Sequence, residues 1–175
     1  MKKYSDYSDS ELTREIKASN RDAFQALYWR FYDPLYRYLW YRIHSMELAA
    51  DFIQEVFTRI WENRKKLDYR QSIKAYLYRI AHNLIYDHTK KTAREMAYLA
   101  ELTIEESASF ENFSNLELDI LAAIEKFPAP VREVFCLSRF EGLKYAEIAD
   151  VYGVSVKTIE HRISQALQML YENLE

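Results

Sequence analysis

The stretch that decides the fold is YAEIADVYGVSVKTIEHRISQAL, residues 145–167. Its first eight residues predict a short helix that Gly153 closes, because glycine adopts the left-handed backbone conformation at little cost. Val154 can fill the turn, and Ser155 can cap the helix that follows. Two helices joined by such a turn are typical of a helix-turn-helix.

The last helix has one apolar face and one polar face. Apolar residues recur at three- and four-residue steps and predict a buried stripe of Ile159, Ile163, Ala166, Leu167 and Leu170. The outward side carries Lys157, Thr158, Glu160, His161, Arg162 and Gln165. Most of these side chains suit base edges in the major groove, where such a helix places its first residues. We therefore expect DNA binding; a plain antiparallel helix pair, the alternative, would not need the Gly-Val-Ser turn.

Composition excludes several other classes of protein. The chain has only two glycines, Gly142 and Gly153, so it cannot build a glycine-rich phosphate loop. A lone Cys136 allows neither an internal disulfide nor a cysteine-rich zinc site, which fits a reducing, cytosolic setting. No apolar run approaches the roughly 18 residues of a membrane span, so we expect a soluble protein. Few glycines and prolines beside many Glu, Lys, Leu, Ala and Arg predict an all-α fold.

Charge divides the chain into two small helical domains and a linker. Residues 64–91 hold eight basic and two acidic side chains, which favours a polyanion as partner; a solvated basic helix face is the alternative. Residues 93–114 hold one arginine and five glutamates. We predict domains at 1–92 and 114–175, joined by an acidic linker at 93–113. The second domain is net negative, which implies weak intrinsic affinity for DNA.

Two helices open the first domain. Asn20 can cap a helix from Arg21, in which Pro34 predicts a kink. A second helix follows Ser45. Its predicted buried residues are Leu48, Phe52, Val56, Ile60 and Trp61, and its predicted outward residues are Asp51, Gln54 and Glu55.

A third helix, from Ser72, mixes cations, aromatics and an amide on its outer faces. Its predicted buried residues are Ile73, Leu77, Ile80, Ala81 and Leu84, and its predicted outward residues are Lys74, Tyr76, Tyr78, Arg79, Asn83 and Asp87. Aromatic rings stack on unpaired bases, and an amide can read a base edge. The alternative is that Tyr76 and Tyr78 only rim the core.

Three more signals mark the helices of the second domain. Ser114 and Glu117 fit a capping box. Pro128 ends that helix, and Pro130 suits the first position of the next, which uses Phe140 in its apolar face. Gly142 suits the left-handed exit.

Three motifs in order resemble the extracytoplasmic-function sigma factors of bacterial RNA polymerase. Asp51-Phe52-Ile53-Gln54-Glu55-Val56-Phe57 is similar to the family's Asp-x-x-Gln-Glu-x-Phe motif of region 2.2. The run Tyr76 to Asn83 resembles its Trp-Leu-Tyr-Arg-Ile-Ala-x-Asn motif, with Tyr76 in place of a common tryptophan. The stretch Tyr145 to Thr158 is similar to region 4.2. The resemblance spans about Ser8 to Leu174.

The resemblance implies a sigma factor that binds core RNA polymerase and directs promoter-specific initiation. Its implied polymerase contacts, on the β′ clamp helices, are Asp51, Gln54, Glu55 and Phe57; the β subunit is a further implied partner. Its implied contacts with the opening −10 element are Lys66, Tyr69, Arg70, Gln71, Lys74, Tyr76, Tyr78, Arg79, Asn83, Lys90 and Lys91. Its implied contacts with the −35 duplex are Ser155, Lys157, Thr158, His161, Arg162 and Gln165.

The resemblance also concerns the linker, a loop and a regulator. The linker would run toward the active-site and RNA-exit channels of polymerase. The loop Asp68 to Gln71, which would form a base-capturing pocket, lacks the glycine common in the family. A membrane-bound anti-sigma factor is an implied partner.

Two alternatives belong to other classes. One is a self-sufficient helix-turn-helix regulator whose first domain dimerises or senses a ligand. The other is an enzyme, which the sequence disfavours: His44, His82, His88 and His161 have no metal-binding spacing, and no nucleophile elbow occurs. We expect no catalysis, metal, cofactor or small-molecule substrate.

Overall fold

The structure, a computed structural model, describes residues 4, 6–98 and 123–174. These residues form helices and turns and contain no strand, which confirms the all-α prediction. The chain divides into two compact units, Met1–Glu106 and Ser107–Glu175. No helix in the described ranges has the length and apolarity needed to cross a membrane.

The first unit is built around one long central helix. Its helices are α1 (Asp9–Lys17), α2 (Arg21–Ile43), α3 (Met46–Glu62), a short 3-10 helix (Arg64–Lys66) and α4 (Ile73–Tyr98). Helix α2 packs against each of the other three α-helices and runs through Pro34 unbroken. Leu27, Leu35 and Leu39 of α2 are fully buried in the core, with Ile53 and Ile60 from α3 and Leu77 from α4.

Side-chain caps fix the starts of these helices; the Asn20 cap was predicted, and Ser45 and Ser72 were predicted only as the points where helices begin. The Asn20 side chain accepts hydrogen bonds from the Asp22 and Ala23 amides, and Ser45 Oγ accepts one from the Leu48 amide. Ser72 Oγ accepts one from the Ala75 amide. Each bond satisfies a backbone donor that the first turn leaves without a helical partner.

Helix α1 was not predicted. Ser8 caps it: the Glu11 amide donates to Ser8 Oγ, and the Ser8 amide donates to the Glu11 carboxylate. The hydrogen bonds from Ser8 hold the pKa of the Glu11 carboxyl below its usual value. Leu12 and Ile16 are fully buried, so this short helix is part of the core. The pattern Ser-x-x-Glu at 8–11 was the signal that would have found it.

The predicted buried face of α3 was displaced by about one residue. Ala49, Ile53 and Phe57 are buried, whereas Leu48 and Phe52 are only partly covered. The Phe52 ring instead lies edge-on to the His88 ring of α4, with centroids 5.8 Å apart. In α4, likewise, Ile85 is buried and Leu84 only partly so. Val56 and Ile60 are buried as predicted.

Helix α4 continues beyond the predicted domain boundary. It ends at Tyr98, so residues 93–98 of the predicted linker are helical, and the domain bounds stay a prediction. An acidic composition is compatible with helix there, because glutamate is a good helix former and residues 93–98 contain no glycine or proline. The predicted capping box at Ser114 and the rest of the predicted linker lie outside the described residues.

The second unit contains the predicted helix-turn-helix. Its helices are α5 (Ala129–Arg139), α6 (Tyr145–Tyr152) and α7 (Val156–Leu174), preceded by a helical turn at residues 123–125. Helix α7 packs against both α5 and α6. Gly153 has a φ of 63° and ends α6, as predicted, and Gly142 has a φ of 64°. Pro130 is the second residue of α5 rather than the first.

Two apolar residues of this unit are more exposed than expected. Ile159, Ile163 and Ala166 of α7 are buried as predicted, but Leu167 is 46% exposed. Phe140, just after α5, is 57% exposed. The Leu167 prediction was wrong because α7 presents its neighbours Ile163 and Ala166 to the core, and position 167 lies at the edge of that face.

Candidate nucleic-acid interface

A cavity of about 230 Å³ lies where the start of α4 meets α1 and the loop before α4. Its lining residues are Thr13, Asn63, Lys66, Leu67, Asp68, Gln71, Ser72, Ile73, Tyr76 and Arg79. Four of them, Lys66, Gln71, Tyr76 and Arg79, belong to the predicted −10 set. Cations, amides and an aromatic side chain therefore share one concave surface.

The loop at residues 67–72 forms one wall of the cavity. Asp68 organises it: the Arg70 amide donates to Asp68 Oδ1 and the Gln71 amide donates to the Asp68 carbonyl, each over 3.0 Å. This turn forms without a glycine, since an aspartate side chain can bond the backbone two residues on.

Helix α1 contacts this loop through side chains that the sequence analysis did not select. Lys17 Nζ donates to the Leu67 carbonyl over 2.8 Å, and Ser10 Oγ donates to the Tyr69 carbonyl over 2.7 Å. The Arg14 guanidinium carbon lies 4.5 Å from the centre of the Tyr69 ring. These contacts join residues about 50 positions apart, so only the fold could reveal them.

The outer face of α4 continues the surface that begins at the cavity. Arg79 is exposed and its guanidinium carbon lies 5.1 Å from the centre of the Tyr76 ring. Asn83, one turn further on, is exposed, as are Lys90 and Lys91. Of the remaining predicted −10 residues, Arg70 is exposed, whereas Tyr69 and Lys74 are half-buried.

Tyr86 belongs to the same face but was not predicted. It lies three residues after Asn83, is 57% exposed, and has the Lys90 ammonium 5.9 Å from its ring centre. Its helical spacing from Arg79 and Asn83 was the signal that would have found it.

Tyr78 corrects the prediction. It is fully buried, and its ring meets the Tyr38 ring of α2 edge-on at 5.1 Å. A buried ring has no face open to a base, so the prediction that Tyr78 contacts DNA was wrong. Arg42 and His82 lie in the same region: Arg42 donates to the Tyr38 hydroxyl, and one of its nitrogens lies 3.5 Å from His82 Nδ1. Burial, with the Arg42 charge nearby, lowers the pKa of His82 to about 4, so it is neutral at pH 7.

The exposed face of α3 carries most of the predicted polymerase contacts. Asp51 and Gln54 are exposed. Glu55 is half-buried and accepts a 2.7 Å hydrogen bond from Arg59 Nε. Phe57 is different: it is 3% exposed and packs against the rings of Phe24 and Tyr28, so its predicted direct contact with polymerase was wrong.

The first turns of α7 present the predicted −35 residues. The Thr158 amide donates to Ser155 Oγ over 3.1 Å, and the two hydroxyls lie 2.8 Å apart, so Ser155 caps α7 as predicted. Lys157, His161 and Gln165 are exposed, and Thr158 and Arg162 are half-buried.

No cluster of three or more metal-ligating side chains occurs in the described ranges, 4, 6–98 and 123–174. The lone thiol is also poorly suited to chemistry, because burial raises the pKa of Cys136 to about 11.

Comparison with known proteins relates both units to one family. Residues 27–95 match Sigma-70 region 2, and residues 117–170 match Sigma-70, region 4. RNA polymerase sigma factor SigZ of Bacillus subtilis is 30% identical over 149 residues, which cover 83% of this chain and 84% of SigZ. The chain belongs to the extracytoplasmic-function sigma factors. ECF RNA polymerase sigma factor BldN of Streptomyces coelicolor is 31% identical, over 91% of this chain and 64% of BldN.

Solved structures of sigma factors share the fold. RpoE of Bartonella quintana, in complex with the anti-sigma factor NepR, aligns with a TM-score of 0.68 at 25% identity, over 81% of this chain and 90% of RpoE. CnrH, in complex with the cytosolic domain of CnrY, aligns with a TM-score of 0.67 at 25% identity, over 95% and 96% of the two chains.

As a sigma factor, the protein binds core RNA polymerase and promoter DNA and directs transcription initiation. The match of residues 27–95 to Sigma-70 region 2 favours this function over a stand-alone helix-turn-helix regulator, whose first domain would dimerise or sense a ligand.

Proposed function

We propose that this sigma factor captures bases of the opened −10 element at the cavity beside α4, reads the −35 duplex with α7, and docks on polymerase with α3. The observation that carries the proposal is the continuous surface from the cavity, with Tyr76 and Arg79 in its lining, to the exposed Asn83 on α4.

The cavity suits an unpaired base. Its volume of about 230 Å³ is several times the roughly 30 Å³ that a water molecule occupies in the liquid, which leaves room for a group much larger than water. Tyr76 offers a ring face for stacking, and Gln71 offers an amide donor and acceptor for a base edge. Asn63, whose Nδ2 donates to the Arg59 carbonyl, offers its carbonyl oxygen. Lys66 and Arg79 supply positive charge for the phosphates on either side.

Beyond the cavity, α4 offers a track for the DNA backbone. Asn83, Tyr86, Lys90 and Lys91 are all exposed along it. We assign Asn83 and Tyr86 to bases and the two lysines to phosphates, because a phosphate contact positions DNA without reading its sequence. Exposed Arg70 lies in the loop between the lining residues Asp68 and Gln71 and is assigned to the phosphate contacts. Half-buried Lys74 and Tyr69 are assigned to the same interface.

Docking on polymerase is assigned to α3. Asp51, Gln54 and Glu55 lie at helical spacing on its open face, and we place the β′ clamp helices against them. Phe57 supports that face from beneath through its ring contacts with Phe24 and Tyr28.

Removing the polar groups of α3 is expected to weaken docking. The double variant Gln54→Ala, Glu55→Ala should lower the affinity for core polymerase about tenfold, at roughly 0.5–1.5 kcal/mol for each lost hydrogen bond. Helicity should stay normal, because the Glu55–Arg59 pair, with both side chains more than a third exposed, adds little stability. Fluorescence anisotropy with labelled sigma factor measures the affinity. Asp33→Ala, a charge-matched change at an exposed position of α2, is the control; equal affinities for the two variants would refute the assignment.

The second unit is assigned to the −35 duplex. Helix α7 begins at Val156, directly after the Ser155 cap, and its first turns carry Lys157, Thr158, His161 and Arg162. Recognition helices place this end in the major groove. We also place the β subunit of polymerase against this unit.

Arg162→Ala is expected to lower −35-dependent transcription about fivefold to a hundredfold, as one base or phosphate contact contributes roughly 1–3 kcal/mol. Arg139→Ala removes the same charge from the exposed end of α5 and serves as the control. In vitro transcription from paired templates with intact and scrambled −35 elements measures the effect. If both variants keep the same ratio between templates, Arg162 does not contact the duplex.

Three broader assignments complete the proposal. The protein acts in the cytoplasm, where its polymerase and promoters are, and it has no catalytic activity of its own. A membrane-bound anti-sigma factor is proposed as its regulator; RpoE, which is similar to this chain, is in complex with the anti-sigma factor NepR.

A further inference from the structure

We propose that α1 is a positioning element for base reading, because Ser10, Arg14 and Lys17 hold the loop at residues 67–71 in the shape that forms the cavity wall. The inference rests on the proposed role of the cavity at the −10 element. It adds three residues that are outside both the predicted −10 set and the predicted polymerase contacts; two of them, Ser10 and Arg14, contact Tyr69 of the −10 set.

One face of α1 makes all three contacts. Residues 10, 14 and 17 are spaced by four and three, so their side chains lie on the same side of the helix. Lys17 and Ser10 donate to the carbonyls of Leu67 and Tyr69, and Arg14 lies over the Tyr69 ring. Helix α1 therefore holds the loop at three points, which are the Leu67 carbonyl, the Tyr69 carbonyl and the Tyr69 ring.

Helix α1 is itself firmly attached to the core. Leu12 and Ile16 are fully buried on its inner side. Arg30 of α2 donates to the Asp9 carboxylate over 2.7 Å and also to the Tyr7 carbonyl, which fixes the start of α1. Because α1 is fixed to the core, its contacts with the loop also fix the cavity wall relative to the core.

The loop has few internal bonds that would hold this shape alone. Within it, Asp68 accepts from the Arg70 and Gln71 amides. The Leu67 and Tyr69 carbonyls receive their donors from α1. Loops held by few contacts open locally at low free energy. Asp68 and Gln71 line the cavity, so opening would displace two of its polar groups and weaken discrimination between bases.

Lys17→Met tests the contact directly, because methionine keeps an unbranched side chain and lacks the donor. Hydrogen–deuterium exchange on the full chain is expected to speed up about fivefold at the Arg70 and Gln71 amides. Lys17→Arg keeps a charged donor and should restore slow exchange. Arg21→Met, an exposed position with the same charge change, should leave exchange unaltered.

The functional test uses holoenzyme, the variant bound to core polymerase, with a template library randomised at the −10 and −35 elements. Sequencing of the transcripts gives the base preference at each position. Lys17→Met and Ser10→Ala should each flatten the −10 preference about fivefold and leave the −35 preference and the affinity for core polymerase unchanged. A role only in stability would lower total transcription without changing the preference.

The outcomes separate this inference from the proposed function. If Asn83→Ala flattens the −10 preference but Lys17→Met does not, α1 has no positioning role, although base reading by α4 stands. Unchanged exchange in Lys17→Met likewise overturns the inference. If Asn83→Ala, Tyr76→Ala and Lys17→Met all keep the wild-type preference, the proposed function fails and the role of α1 fails with it.

Discussion

Replacing Asn83 with alanine is expected to reduce open-complex formation about tenfold or more, with normal binding to core polymerase. Asn83 is exposed on α4, one turn after Arg79, on the side away from buried Leu77 and Ala81. Its amide is therefore held where an extruded base can donate and accept hydrogen bonds. Losing these bonds leaves polar groups of the base unpaired, at a cost of about 1–3 kcal/mol.

Two templates distinguish strand opening from base reading. Permanganate footprinting reports unpaired thymines on a duplex promoter and on the same promoter with a premelted −10 bubble. If Asn83 helps to open the strands, the bubble should partly rescue the variant; if it reads a base, the defect should persist. Gln25→Ala, which removes an exposed amide from α2, is the control. Normal opening on the duplex template would exclude both roles.

Tyr78→Ala is expected to lower the free energy of unfolding by about 3–5 kcal/mol, as for other large aromatic residues in a core. Tyr78 is fully buried against Tyr38, so the substitution leaves a cavity between α4 and α2. Tyr86→Ala on the same helix should change stability by less than about 0.5 kcal/mol, because Tyr86 is 57% exposed.

Urea unfolding followed by far-UV circular dichroism measures both tyrosine variants. The opposite pattern, a stable Tyr78→Ala and an unstable Tyr86→Ala, would show that Tyr86 is buried and Tyr78 is exposed, contrary to the structure. A stable Tyr78→Ala that is defective only in promoter opening would restore the role in DNA binding that its sequence motif suggested.

Local signals explain which parts of the fold were predictable. Asn20 and Ser155 were predicted as caps and Ser45 as the residue before a helix, because a capping bond joins residues only two or three apart. The left-handed turn at Gly153 is equally local. The last two helices of the second unit were thus predicted well at their junction, where Gly153 ends α6 and Ser155 caps α7.

Contacts between neighbouring helices explain why some side chains were assigned to the wrong side of their helix. Tyr76 and Tyr78 look alike in the sequence of α4, and only the position of Tyr38 on α2 decides that Tyr78 is buried. Phe57 was misassigned for the same reason, since its partners Phe24 and Tyr28 are on another helix. The role of α1 at the cavity depends on contacts across about 50 residues. The sequence was enough to select most of the candidate residues of the site. The direction in which each side chain points could be known only from the tertiary structure.

Gly153 limits which mutations the helix-turn-helix can accept in one step. Its φ of 63° costs roughly 1–2 kcal/mol for most other residues, although no atom lies within 4 Å of where a Cβ would be. Asparagine tolerates this conformation best after glycine, yet every glycine codon is at least two nucleotide changes away from an asparagine codon. Aspartate is one change away from some of them, but it would bring negative charge to the negative end of the α6 dipole. A single nucleotide change in the Gly153 codon therefore cannot replace glycine without a loss of stability at this turn.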